Sequence, residues 1–155
     1  MEIRVGAATD VGQLADLICR FAEEEPAGTE RAFAEELTGW WEDHYDSHLA
    51  FLALLPSSGA VGMAWLALTA RVPRPGGTSR LSGDIQSVYV VPEHRRAGIG
   101  TALVRAVLQH AEAVEVEDVT VHSNQRAASL YERAGFSTSQ DLLMRSGRSA
   151  AIDQA

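Results

Sequence analysis

The sequence predicts one α/β domain built on a mixed sheet. Three observations lead there. The chain has 155 residues, the size of one domain with a single sizeable core. Its first half reads as a strand, two helices and then three strand-like runs in succession. Its second half alternates helix, strand, helix and a last strand-like run, an order that packs helices on a sheet.

Residues 2–6 can form the first strand. Asp10 with Gln13 reads as a capping box that opens a helix. Val11, Leu14, Ala15, Ile18, Cys19 and Ala22 then recur at the spacing of one helical face, with Phe21 at its edge. Glu23–Gly28 ends that helix with Pro26 and Gly28 as punctuation. A second helix over 30–45 puts Phe33, Leu37, Trp40 and Trp41 on one side. Leu49–Leu55 and Val61–Arg71 read as strands joined by a hairpin turn at Pro56–Gly59. Val72–Arg80 is a polar loop, and Leu81–Val91 is the fourth strand. Gly98–Ala113 has a helical stripe of Ile99, Leu103, Ala106, Val107 and Ala111. Asp118–His122 reads as a short strand, and Asn124–Ala134 as a short helix that Gly135 ends. Leu142–Arg145 can form a last strand. Residues 1–146 are thus read as a single domain and 147–155 as a loose tail.

Composition narrows the function classes. Apolar residues make up 46% and charged residues 22%, the balance of an ordinary globular protein. No apolar run reaches the ~18 residues of a membrane span, and the start lacks a secretory layout. Cys19 is the one cysteine, which excludes an internal disulfide and suits a reducing cytoplasm. On a buried stripe it reads as a core filler. The net charge of -8 argues against nucleic acid as a partner and suits a cationic partner or plain solubility.

The most informative stretch is Ser87–Leu103. A buried strand stops at Pro92, passes through the basic loop His94-Arg95-Arg96, and turns on Gly98 and Gly100 into a helix. Glycines allow strained torsions and close approach to a ligand. The first helical turn presents bare N–H groups and a positive dipole end, a site for phosphate. A P-loop would need a Gly-Lys-Ser/Thr ending, and Thr101-Ala102 follows Gly100 instead. A dinucleotide fingerprint would want a third glycine near Leu103. Neither fits. The blander alternative is a tight turn with solvated arginines.

Arg95-x-x-Gly98-x-Gly100 after a strand ending Val90-Val91-Pro92 resembles the acetyl-CoA-binding motif of the GNAT superfamily of N-acetyltransferases. Asn124-x-x-Ala127-x-x-Leu130-Tyr131-x-x-x-Gly135-Phe136 resembles that superfamily's second signature. The resemblance spans residues 2–146 and is strongest over Leu81–Phe136. It implies a mixed, mostly antiparallel sheet of about six to seven strands flanked by about four helices. It also implies acetyl-CoA as cosubstrate, no metal, and transfer of acetyl to a primary amine by direct attack.

The same resemblance implies roles. The backbone of Val88, Tyr89 and Val90 would line the pantetheine arm as an added strand. A backbone N–H near Val90 would polarise the thioester carbonyl. Arg95 and the run Arg96, Ala97, Gly98, Ile99, Gly100 and Thr101 would hold the pyrophosphate. Arg96 stands where a glycine is frequent, and the turn is expected to survive it. Asn124 would bond the pantetheine or simply cap its helix. Tyr131 would act as general acid, because a phenol of pKa about 10 stays protonated at neutral pH; the alternative is a core tyrosine. Asp84 would be the general base where the family more often has glutamate. His122, with an ordinary pKa near 6.5, is the runner-up, and water is the third choice.

The acceptor is less legible. Glu23–Glu25, Trp40, Trp41, Glu42, Asp43 and His44 fall where the family shapes its acceptor pocket. They would suit an amine-bearing cation, or they form a solvated turn beside a packed tryptophan pair. The expectation is a small-molecule amine in preference to a protein, with no nucleic acid and no membrane as partner. A homodimer and acyl groups other than acetyl stay open. The alternative function is a sensor that binds acyl-CoA and transfers nothing.

Overall fold

The structure is a computed structural model, and it describes residues 1–22, 29–139 and 142. Five strands form one sheet in the order β1 (Glu2–Val5), β2 (His48–Leu55), β3 (Gly59–Ala70), β4 (Leu81–Val90) and β5 (Val116–Val121). The first four are antiparallel to their neighbours, and β5 runs parallel to β4. Four helices complete the domain: α1 (Val11–Phe21), α2 (Thr29–His44), α3 (Ile99–Ala113) and α4 (Gln125–Arg133). The strand count among the described residues is a little below the six to seven expected. The run read as a last strand, 142–145, lies outside them except for Leu142, as does the tail.

A short turn joins β2 to β3, whereas a loop over 71–80 joins β3 to β4 and two helices stand between β1 and β2. At Pro56–Gly59 the chain reverses with Gly59 at φ +68, a left-handed conformation that glycine adopts without a steric penalty. The parallel partner β5 needs a crossover, and α3 supplies it.

Both faces of the sheet are covered. Phe51 of β2 meets His110 of α3 at 5.8 Å between ring centroids, which marks one face. Leu103, Val104 and Val107 of α3 are fully buried against it. Trp65 of β3 meets Trp40 and Trp41 of α2 at 6.2 and 5.3 Å, which marks the other. Alternation along each strand then assigns its remaining residues to one face or the other. Leu14, Ala15 and Leu17 of α1 are buried on the same side as Trp41 in one continuous core. Cys19 is buried too, in keeping with its reading as core.

The start of α1 differs from the capping box expected there. Asp10 does not cap α1 with its side chain. Its carboxylate accepts two hydrogen bonds from the Arg4 guanidinium, at 2.7 and 2.8 Å, and one from the Ala7 N–H at 2.8 Å. A two-pronged charged pair outcompetes a single cap bond. Gln13 is drawn elsewhere as well, and its Oε1 accepts from the Ala60 N–H across the hairpin.

Candidate active site

The parallel pairing of β4 with β5 runs from Leu81–Val116 to Ile85–Val121 and stops there. Beyond Ile85, β4 keeps β3 on one side and has an open edge on the other. Val91 N–H donates to Val61 of β3, so strand alternation turns the N–H and C=O of Val90 toward that open edge. The Val90 carbonyl accepts there from Arg95 Nε at 2.9 Å.

A cavity of about 990 Å3 opens beside this edge. Val88, Tyr89 and Val90 line one side, and α3 begins at its rim. Gly98 precedes α3 in the left-handed conformation, at φ +79, and offers no side chain to cap the helix. The first N–H groups of α3 therefore face the cavity bare. A Cβ built on Gly98 would touch nothing within 4 Å, so the left-handed torsion is what requires glycine. Gly100 has a different reason: its Cβ would stand 2.9 Å from Leu130 Cδ1 of α4. Arg96 adopts φ +64, also left-handed, at the position where the family often has glycine. An arginine there holds the conformation that a glycine takes without steric penalty.

Of the residues singled out for the cofactor, Val88, Tyr89, Val90, Arg95, Arg96, Gly98, Ile99, Gly100, Thr101 and Asn124 all line this cavity, and Ala97 does not. Asn124 caps α4, its side chain accepting from the Ala127 N–H at 3.0 Å. Its carbonyl oxygen is thus engaged, and its amide N–H groups remain for a ligand. Tyr131 reaches the same cavity from α4, buried, with its ring 5.6 Å from Phe136. Burial pushes its phenol above the usual pKa, so it is a proton donor at neutral pH. Gly135 ends α4 at φ +95, as expected.

Asp84 and His122 lie outside the cavity lining. Asp84 stands on β4 opposite Ala67 and Thr120, and its Oδ1 accepts from Thr120 Oγ1 at 2.9 Å. A bulge decides which face it takes. Between Ile85 and Ser87 the register with β3 slips, leaving Gln86 without a partner. Even-numbered Val88 and Val90 face α3, whereas Asp84, beyond the bulge, shares the α2 face with Ser87 and Tyr89. Sequence alternation alone would have put Asp84 on the wrong side. His122 is exposed just past the end of β5.

Other lining residues carry no motif. Arg20 and Phe21 come from the end of α1, and Phe21 meets Tyr89 at 5.7 Å. Arg133 comes from α4 and His94 from the loop. The helix spacing put Phe21 at the edge of its stripe, the signal that could have flagged it. With Arg95 and Arg96, the cavity holds four arginines and no carboxylate among its lining residues, in a chain of net charge -8. Glu23–Glu25 lie outside the described residues. Glu42 lines a separate pocket of about 230 Å3 with Trp41 and Tyr45.

Residues 13–136 match the model of the acetyltransferase (GNAT) family. The chain belongs to the GNAT family. GNAT proteins use acetyl-CoA, and the matched residues include both the turn before α3 and α4. Among curated relatives, a mycothiol acetyltransferase of Saccharomonospora viridis is 41% identical over 67 residues, covering 43% of this chain and 21% of that protein. A glucosamine 6-phosphate N-acetyltransferase of Trypanosoma brucei brucei is 31% identical over 81 residues, covering 52% of this chain and 53% of that one. The chain thus spans about a fifth and about half of these relatives. Among solved structures, a Trypanosoma brucei acetyltransferase superposes with TM-score 0.75 at 24% identity, covering 94% and 98% of the two chains. A Clostridium acetobutylicum chain crystallised with acetyl-CoA gives TM-score 0.72 at 17% identity, with 94% and 95% covered. Among the described residues no helix is long and apolar enough to cross a membrane.

Proposed function

We propose that this chain moves an acetyl group from acetyl-CoA to the primary amine of a small molecule. One observation carries the reading: the bare N-terminus of α3 and four arginines converge on one cavity beside the open edge of β4. Three kinds of group in acetyl-CoA fit this arrangement. A pyrophosphate suits the N–H groups of Ile99, Gly100 and Thr101 with Arg95 and Arg96 beside them. An amide-bearing arm suits the outward N–H and C=O of Val88 and the N–H of Val90, whose carbonyl Arg95 already engages, with the Asn124 amide across from them. A thioester at the far end of that arm lies near the bulge, where the β4–β5 pairing closes.

The bound cosubstrate supplies the activated acetyl group. The protein supplies position and protons. A backbone N–H on the open edge, near Val90, stabilises charge that develops on the carbonyl oxygen. Tyr131, kept neutral by burial, gives a proton to the departing sulfur. Asp84 stands on the opposite face of the sheet from α3, where an amine can approach without crossing the cofactor. The name of one relative, a glucosamine 6-phosphate N-acetyltransferase, favours an amine on a sugar phosphate, and the arginines of the cavity tolerate a phosphorylated acceptor.

The test is direct. Calorimetry should give a micromolar dissociation constant for acetyl-CoA, and thiol release should follow addition of amines from a panel that includes glucosamine 6-phosphate. No binding of acetyl-CoA sinks the reading. Binding without thiol release for any amine of the panel assigns the chain to acyl-CoA sensing instead.

A further inference from the structure

A smaller cavity, of about 230 Å3, lies away from the chemistry. Thr38, Trp41, Glu42 and Tyr45 line it from α2, at the i, i+3, i+4 and i+7 spacing of one helical face. Ala8 and Val11 line it from the turn that enters α1. Its place in the fold follows from the register. Gly6, just past β1, donates to the Ala50 carbonyl, and a Cβ built on it would stand 3.5 Å from the Trp41 ring. Ala50 pairs with Trp65, and Trp65 with Ser87 of β4. The cavity therefore lies on the β1 side of the sheet, about three strand spacings or ~14 Å from β4. It shares no lining residue with the arginine-lined cavity. Its volume is below the ~300–1,000 Å3 of drug-sized sites, so it fits a small molecule.

The polar atoms of the lining are set to accept. Trp41 Nε1 is committed to the His48 carbonyl at 2.8 Å, so the buried indole offers the cavity only carbon. Thr38 Oγ1 donates its proton to the Ala34 carbonyl at 2.7 Å, which leaves its lone pairs. Glu42 is the one lining residue that carries a charge, and it has no ion-pair partner among the described residues. The four α2 residues belong to the last two turns of that helix, the negative end of its dipole. Trp41 and Tyr45 add two rings inclined at 43°, with centroids 5.8 Å apart. The contrast with the larger cavity is complete: that one has four arginines and no carboxylate, this one a carboxylate and no basic residue.

We propose that this cavity is a second binding site, which takes a small alkylammonium ion between α1 and α2. Glu42 and the helix end hold the charge. The Trp41 and Tyr45 rings attract it through their faces, and Ala8 and Val11 meet its alkyl groups. The ligand of this site is not the acetyl acceptor, because the cavity stands too far from β4 for its occupant to reach a thioester there. A fully alkylated ammonium, which has no N–H to acetylate, binds equally well. Because Glu42 is exposed, the attraction weakens with salt. A ligand that bridges two helices of the folded chain also raises its melting temperature.

Choline is the probe, and 3,3-dimethylbutan-1-ol, its uncharged isostere, is the control. At low salt the wild-type protein should move the choline N-methyl proton signal upfield, as ring currents require, and should bind the isostere at least about tenfold more weakly. Glu42→Gln should weaken choline about fivefold or more, and Tyr45→Leu, which keeps bulk and loses the ring, by a similar factor. Both positions are exposed, so the unliganded variants should melt like wild type. Saturating acetyl-CoA should leave choline binding unchanged. An unmoved choline signal, equal affinity for the isostere, full affinity in Glu42→Gln or displacement by acetyl-CoA would each overturn the site. None of these measurements needs acetyl transfer, so failure here leaves the transferase reading standing, and failure of that reading leaves this site.

Discussion

Arg95 Nε donates to the Val90 carbonyl at 2.9 Å, and its guanidinium lies 5.7 Å from the centre of the Tyr89 ring. One side chain thus ties the start of the glycine turn to the last open-edge residue of β4. The tie fixes where the turn stands relative to the edge. It also places a cation beside the α3 terminus. Arg95→Ala removes both. Acetyl-CoA affinity should fall about tenfold, the equivalent of one charged hydrogen bond of ~1.5 kcal/mol. Arg95→Lys keeps the charge and loses the planar fork, so it should recover only part of that. Calorimetry on the two variants separates charge from tether, and unchanged affinity in Arg95→Ala would remove it from the site.

Arg96 separates stability from binding. A non-glycine residue at φ +64 is strained by roughly 1 kcal/mol. Arg96→Gly relieves that strain, partly offset by the greater freedom of glycine in the unfolded chain. Thermal melts should therefore show the variant as stable as wild type or slightly more so. Its acetyl-CoA affinity should nonetheless fall about fivefold, because a cation at the rim is gone. A variant that melts lower would mean that the side chain braces the turn and does not merely endure it.

Gly98 and Gly100 should respond differently to alanine. At Gly98 the surroundings are open, so Gly98→Ala meets only the backbone penalty of φ +79, about 1 kcal/mol. At Gly100 the new methyl would lie 2.9 Å from Leu130 Cδ1, next to Tyr131 in sequence. Alanine gains about 1 kcal/mol in helix propensity there and loses a similar amount to crowding. Denaturant melts of Gly100→Ala should look nearly wild type, while its turnover drops as α4 shifts. Leu130→Ala in the same chain should restore turnover. Without that rescue, Gly100 matters to the ligand and not to the α3–α4 contact.

Much of the fold was legible because its signals are local. Alternation gave the hairpin of β2 and β3, and a strand–glycine turn–helix gave the cavity rim. Helical spacing gave most of the buried stripes of α1 and α3, while missing the fully buried Leu17 and including the exposed Ala22. What escaped depends on partners distant in sequence. Asp10 read as a cap until Arg4, six residues earlier, took its carboxylate. The bulge at Gln86 reverses the face of Asp84, and a bulge is a slip between two strands that one strand cannot reveal. Phe21 was visible only as the edge of a stripe, and its approach to Tyr89 came with the packing.

The Arg4–Asp10 pair gives the chain an acid-sensitive element away from the cavity. The Arg4 hydrogen bonds, and then the Ala7 N–H, hold the Asp10 carboxyl below its ordinary pKa against the opposing effect of burial. A group depressed in the folded state contributes stability that is complete above its unfolded value, about 3.9, and is lost as pH falls through the folded one. Wild-type protein should therefore lose stability steeply below about pH 4. Asp10→Asn should be less stable at pH 7 by ~1–3 kcal/mol, a range kept low because Arg4 is one-third exposed. Its stability should vary less with pH in the acid window. Parallel curves for the two proteins below pH 4 would exclude Asp10 as the source.

Tyr131 offers the sharpest test of the chemistry. Its hydroxyl belongs to a ring packed against Phe136, so Tyr131→Phe keeps the packing and removes only the proton donor. If the phenol protonates the departing thiolate, kcat should fall by about a hundredfold, within the range for general acids, while acetyl-CoA affinity stays put. The pH profile adds a second reading. Burial raises the phenol above its ordinary value of about 10, so wild-type kcat should not decline until the pH passes that point. In Tyr131→Phe that alkaline decline should vanish along with most of the rate. Full turnover in the variant, on an acceptor for which chemistry is the slow step, would return Tyr131 to the core and leave solvent to protonate the sulfur.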